Sequence, residues 1–145
     1  MKYDGSNLED VLRDHELWIS SQRTEGSCAD FDHTDLSGKV LVGKCLSNAS
    51  FEYANLENTD FSESILNRAS FKHADLYDAV FCAANLYYSN FAFTDISYTS
   101  FEESILHGAC FYNAYGERTN FTNAYMRRCD IKNARYMALL PYVAD

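Results

Sequence analysis

The residues able to do chemistry in this chain are scattered. The four histidines are His15, His33, His73 and His107, and the five cysteines are Cys28, Cys45, Cys82, Cys110 and Cys129. An odd cysteine count without CxxC spacing argues against both a disulfide framework and a zinc site. Hydroxyls and carboxylates are plentiful, but no serine or threonine has both a histidine and a carboxylate converging on it, so no nucleophile–base–acid set can be assembled. There is no glycine-rich phosphate loop, and carboxylate pairs such as Glu102–Glu103 read as solvated surface. Asn48-Ala-Ser50 and Asn120-Phe-Thr122 match glycosylation sequons by chance, because the N-terminus lacks the apolar run of a signal peptide. The expectation is a non-enzyme with no catalytic residues, no cofactor and no metal.

Position along the chain says more than residue type. From Phe31 to Tyr136 every fifth residue is large and apolar, and the residue two before it is usually small. A period of five fits neither the 3.6 of a helix nor the 2 of a strand, so it describes a coil that turns a corner every five residues. Laid four pentads to a turn, Phe31, Phe51, Phe71, Phe91 and Phe111 share one column, and Leu41, Phe61, Phe81, Phe101 and Phe121 another. Leu36, Leu56, Leu76 and Ile96 form a third, and Leu46, Leu66, Leu86, Leu106 and Met126 a fourth. Like stacks on like, which fills a narrow interior layer by layer. No pair of cysteines shares a column, and Cys129 falls in an inward slot as a core thiol. His33 and His73 share an outward column two coils apart, roughly 10 Å at the inter-strand spacing, and the histidines are expected at the surface.

Residues such as Ala-Asn-Leu at 54–56 and 84–86, Ala-Asp-Leu at 74–76 and Thr-Asp-Phe at 59–61 carry a resemblance to the pentapeptide-repeat family. What the resemblance implies is an all-β solenoid, a right-handed quadrilateral β-helix of about five coils, with an N-terminal α-helical cap. At ~4.8 Å per coil the rod is roughly 25 Å long. The division expected is residues 1–27 as capping helix and linker, 28–136 as β-helix and 137–145 as a C-terminal cap or tail.

Ser6-Asn7-Leu8-Glu9 reads as a capping box, and Leu8, Val11, Leu12, His15, Trp18 and Ile19 lie on one helical face. A helix is predicted over 6–21, anchored mainly by Trp18 and ended by Gly26. Leu-x-x-His-x-x-Trp-Ile also resembles the leader before the repeats in some bacterial and phage members. The apolar tail with Pro141 either caps the last coil or joins a second subunit, giving a monomer or a homodimer. Lys39 and Lys44 occupy slots that want a small inward residue, so the coil over 37–46 is distorted or their stems snorkel. Gly116 leaves its layer without a centre, to be met by a reoriented Tyr115, a bulge or a void.

Charge restricts the partners. The net charge is -9; residues 1–117 hold 7 Lys/Arg against 19 Asp/Glu, and residues 118–145 hold 5 against 2. An acidic body argues against direct nucleic-acid binding, and no apolar run is long enough to span a membrane. A cytoplasmic protein is expected. Two surface features stand out. Tyr77, Tyr87, Tyr88, Phe93 and Tyr98 form a candidate partner surface, with His33, Tyr53, His73 and Phe93 as a continuous ladder that either shields coil edges or meets a partner. Asp35, Glu57, Asp75, Asp78 and Asp95 form an acidic face. The resemblance implies for such a face DNA mimicry directed at a type II topoisomerase, DNA gyrase. Against this, DNA carries a charge every ~1.7 Å of axis, far denser than one acidic column at coil spacing. The function expected is therefore a protein-interaction scaffold whose partner is unknown, with the DNA mimic as the alternative.

Overall fold

The computed structural model describes residues 1–135. Tyr136 and the 137–145 tail lie outside the described residues, and with them the choice between cap and dimer. The pentads wind as short parallel strands separated by two-residue turns, and each strand bridges the residue twenty positions on: Asp30 to Ser50, Asp35 to Asn55, Val40 to Asp60, Cys45 to Ile65, and so to Tyr115–Arg135. Three backbone bonds between coils recur from step to step. Phe71 N–H donates to the Asn90 carbonyl at 2.7 Å, His73 N–H to the Ala92 carbonyl at 3.1 Å and Asn90 N–H to the Ala69 carbonyl at 3.0 Å. A fourth closes most turns, as from Ala74 N–H to the Phe71 carbonyl at 3.0 Å. Four strands make one lap of a four-sided tube.

The interior follows from the columns. Phe51, Phe71, Phe91 and Phe111 stack at 4.9–5.0 Å, and Phe61, Phe81, Phe101 and Phe121 at 4.9–5.2 Å. The two stacks meet edge to face across the tube, as Phe71 does with Phe81 at 5.5 Å. Such ring pairs contribute about 0.5–1.5 kcal/mol each beyond the area they bury. The small slots alternate with the centres, and their hydroxyls are satisfied internally: Thr59, Thr99 and Thr119 donate to the Leu36, Leu76 and Ile96 carbonyls at 2.7–2.9 Å. These buried hydroxyls therefore sit in the tube without an unmet bond.

The N-terminal cap differs in detail from the sequence expectation. Helix α1 spans Leu8–Ser20, and no capping box forms. Asn7 turns its side chain back, accepting the Asp4 N–H and donating to the Lys2 carbonyl. Asp4 in turn accepts from Ser6 N–H and Oγ and from Asn7 N–H, and these bonds, those from Ser6 first, hold its carboxyl below the usual range. Trp18 is not the main anchor. Val11, Leu12 and His15 are the buried residues of α1, while Trp18 is only half-buried and stacks on His15 from outside at 5.6 Å. The tube mouth admits the smaller side chains, and the indole serves as their lid, with the Arg23 guanidinium 5.0 Å over its ring. The helix also ends six residues before Gly26. Gly26, at φ +72°, lets the linker cross α1 where a Cβ would strike the Asp14 carbonyl and the Trp18 nitrogen.

The sequence missed a second cap. Lys2 bridges Asp30 in parallel, and Tyr3, almost fully buried, tilts onto Phe31 at 5.8 Å. Two irregular positions are settled as well. Lys39 and Lys44 do not distort the coil: the turn bonds to the Leu36 and Leu41 carbonyls persist at 3.0 and 3.3 Å, and both lysines lie exposed at the N-terminal rim. At Gly116 the register continues without a bulge and Tyr115 stays outside. Ile96 and Thr119 crowd the vacant position instead, and a Cβ there would meet them at 2.5–3.2 Å.

Candidate interaction surfaces

The turns define four corners. The first runs through 32–33, 52–53, 72–73, 92–93 and 112–113, the second through 37–38 to 117–118, the third through 42–43 to 122–123, and the fourth through 47–48 to 127–128. The second residue of nearly every turn has φ between +53° and +69°, the left-handed region that favours Gly, Asn and Asp. Asn48, Asn58, Asp78, Asn113, Asn123, Gly38, Gly43 and Gly108 fit that preference. His33 and His73 are tolerated there, whereas Tyr53, Phe93, Tyr88 and Tyr98 are not favoured. A bulky residue there costs about 1–2 kcal/mol, so something must hold it. On the first corner the answer is ring stacking: His33–Tyr53, Tyr53–His73 and His73–Phe93 lie 4.6–4.8 Å apart with planes within 9° of parallel. The ladder read from the sequence is continuous, and Phe93 ends it edge-on to Tyr112 at 5.5 Å.

The five aromatics expected as one surface divide among three corners. Tyr77 and Tyr98 meet on the second corner at 5.1 Å, with the Arg118 guanidinium 5.8 Å over Tyr98. Tyr87 and Tyr88 pack edge to face on the fourth at 4.5 Å, and Tyr87 stacks on His107 at 5.0 Å. Phe93 stands on the first corner between them. Gly108 explains how Tyr88 fits: its ring lies where a Cβ on Gly108 would be. All five remain exposed, from 37% for Tyr98 to 45% for Tyr88.

The five carboxylates do share one side. Asp35, Asp75 and Asp95 are mid-strand residues of the face between the first and second corners, and Glu57 and Asp78 lie on the second corner beside them. Each of the three aspartates uses one oxygen to accept the N–H two residues on, from Ser37, Tyr77 and Ser97 at 2.9–3.0 Å. The Ser37 bonds hold the Asp35 carboxyl below its usual range. Asn55, Tyr115 and Arg135 interrupt the same column, and Arg118 closes the neighbouring corner. Burial pushes the Tyr77 hydroxyl pKa up, helped by Tyr98 and by the charges of Asp78, Glu57 and Glu117.

His15 was expected at the surface and is fully buried. Its Nδ1 accepts the Ala29 N–H at 3.0 Å, and its Nε2 has no partner. Burial foremost, then the N-terminal ammonium, lowers its pKa. The apolar stripe of α1 was the available signal, since a helix residue between Leu12 and Trp18 on that stripe faces the core. The five cysteines are free thiols. Cys129 occupies its inward slot and donates to the Leu106 carbonyl at 3.0 Å, and burial raises its pKa to about 11. Among the described residues no group of three or more His, Cys, Asp or Glu is placed to hold a metal, and no helix is long and apolar enough to cross a membrane.

A four-sided parallel β-helix with two-residue corners and a hydrophobic centre every fifth residue is a solenoid class of its own. The chain is built of pentapeptide repeats: the model of the pentapeptide-repeat family matches eight copies over residues 45–81 and 84–115, and the fold is the right-handed quadrilateral β-helix of such proteins. A pentapeptide repeat protein of the Arabidopsis thaliana thylakoid lumen is similar at 26% identity and TM-score 0.57, over 72% of this chain and 69% of that one. Rfr23, from the cyanobacterium Cyanothece 51142, is similar at 17% identity and TM-score 0.53, over 72% of this chain and 82% of its own. QnrB1, a plasmid-mediated fluoroquinolone resistance protein, is similar at 17% identity and TM-score 0.54, over 81% of this chain and 64% of that one. No curated protein matches the sequence.

Proposed function

We propose that this protein is a non-enzymatic scaffold that binds a protein partner through its outer corners, in the cytoplasm. The observation that carries the reading is the placement of bulky rings at left-handed turn positions, where Asn or Gly would cost less, with those rings left exposed. Pentapeptide-repeat proteins are in general structural or interaction proteins, which agrees with it. Tyr77, Tyr87, Tyr88, Phe93 and Tyr98 offer three aromatic contacts on consecutive corners, suited to a partner that wraps two adjacent faces rather than one that lies flat. The test is Tyr88→Ala combined with Phe93→Ser. Partner capture from lysate should be lost while the melting temperature stays within a few degrees; capture that survives removes the aromatic corners from the reading.

The competing reading is a DNA-mimicking inhibitor or protector of a type II topoisomerase. In its favour, Asp35, Glu57, Asp75, Asp78 and Asp95 share one side of the rod. Its weakness is that Asn55, Tyr115 and Arg135 break the mid-strand column, so the charge falls well below that of a duplex. A supercoiling assay with purified DNA gyrase decides it. The scaffold reading expects neither inhibition nor quinolone protection at micromolar protein.

A further inference from the structure

The first coil differs from its successors in having strands with nothing beneath them. Asp30 is the exception, because Met1–Tyr3 pairs with it: Tyr3 N–H donates to the Asp30 carbonyl at 2.9 Å, and Asp30 N–H to the Met1 carbonyl at 3.2 Å. The same strand position recurs at Asp35, Val40 and Cys45. Each bridges forward only, to Asn55, Asp60 and Ile65, and their own N–H and C=O groups make no backbone bond among the described residues.

This edge is open where it passes Val40. At 70% exposure, Val40 is more exposed than any other large apolar side chain among the described residues, and Val42 beside it is also exposed. Gly38 and Gly43 bracket the stretch, and a Cβ on either would meet nothing within 4 Å. Past the corner at Val42–Gly43, helix α1 leaves a cleft of about 440 Å³, with Glu9, Leu12, Arg13 and Glu16 on one wall and Gly43, Lys44 and Cys45 on the other. Among the described residues Lys39 and Lys44 form no ion pair, whereas Arg13 is held by Asp10 at 2.5 Å.

We propose that the edge at Lys39–Leu41 docks an extended, carboxylate-bearing segment of a partner protein, which adds to the Val40 face of the first coil as a parallel strand. Three observations select this occupant. Met1–Tyr3 shows that the same coil accepts a parallel strand, on the face opposite Val40. The N–H and C=O of Val40, without a backbone bond among the described residues, supply the main-chain bonds of strand addition. Lys39 and Lys44 are two exposed cations without an ion pair among the described residues, on a chain of net charge -9. They attract a carboxylate, and they disfavour a second copy presenting the same lysine-bearing edge. The site is separate from the aromatic corners, so either reading can fail alone.

The experiment titrates the full chain, labelled with 15N, with an end-capped peptide Val-Glu-Val-Thr-Glu-Val and with its Lys-for-Glu counterpart. Amide exchange at Val40 should slow about tenfold or more with the first peptide and not with the second. Lys39→Glu with Lys44→Glu should reverse that preference. Val40→Pro deletes an N–H that no native bond uses and should abolish docking, with unchanged exchange at Phe71 showing that the tube is intact. Tyr88→Ala with Phe93→Ser should bind the peptide as the parent does. Unchanged exchange at Val40 in millimolar peptide overturns the proposal. Equal binding of the two peptides overturns it too, as does protection that rises with protein concentration alone, which would make a second copy the occupant.

Discussion

The central coils and the N-terminal end solve the same problem by different means. Between Phe51 and Phe111 each layer is covered by layers of its own kind above and below, so one packing solution is repeated. At the N-terminal end nothing repeats. Tyr3, Val11, Leu12 and His15 come from two unrelated segments and close the mouth with a strand, a helix and an imidazole that leaves one nitrogen unbonded. A solenoid distributes its stability along the repeat, while its ends depend on single contacts. The middle should therefore tolerate no loss of volume, and the end should respond to conditions.

The sharpest way to press the contrast is to delete a ring from each region. Phe71→Ala removes a fully buried side chain from the stack and should cost about 3–5 kcal/mol in urea unfolding. Trp18→Ala removes a half-buried lid and should cost about 1 kcal/mol. Equal costs would mean that the cap is as tightly built as the tube. A second variant asks whether the repeat has any slack. Gly116 reads from the sequence as a missing centre, yet Ile96 and Thr119 already crowd the position. Gly116→Ala should therefore destabilise, by about 1–3 kcal/mol; stabilisation would reveal a void.

A smaller effect belongs to the cap. Burial lowers the His15 pKa, so His15 is neutral in the folded chain, whereas the unfolded histidine binds a proton near its ordinary pKa of 6.5. The unfolded state thus binds more protons as pH falls. The cap keeps its full stability above that pKa and loses it progressively below, until the folded pKa is passed. Melting followed at pH 7.5 and pH 5 should show this decline, and His15→Leu should remove the part of it that His15 causes. The mildest effect lies at the other end of the tube. The Cys129 thiol, with its pKa raised to about 11, should be the last of the five to react with iodoacetamide at pH 8, without any change in stability.

Much of this was legible in the residues, because the signal was two nested periods. The five-residue rhythm set the corners, and the twenty-residue recurrence of Phe on Phe set the layers, so both stacks and the His33–Phe93 ladder could be read directly. The end was less legible for physical reasons. Tyr3 lies outside the pentad frame, and only the intervening α1 brings it beneath Phe31. The apolar stripe of α1 was visible, but a stripe does not rank its members, and size at the tube mouth placed Val11 and His15 inside and Trp18 over them. Lys39 and Lys44 broke the pattern because the rim has no coil below it, a fact that pentad spacing does not carry. Among the candidate surfaces, the acidic residues fell on one side as their columns required, whereas the aromatics had been grouped by position along the rod and so straddled three corners.

Native-state amide exchange bears most directly on a tube whose layers hold one another and whose mouth is closed by separate contacts. The N–H groups of Phe51, Phe71 and Phe91, each bonded to the coil above, should exchange only through global unfolding, with one common denaturant dependence. The Tyr3 and Asp30 N–H groups should exchange through a local opening of lower free energy and little denaturant dependence. Protection at Asp30 equal to that at Phe71, or unequal protection among the three phenylalanines, would contradict the account.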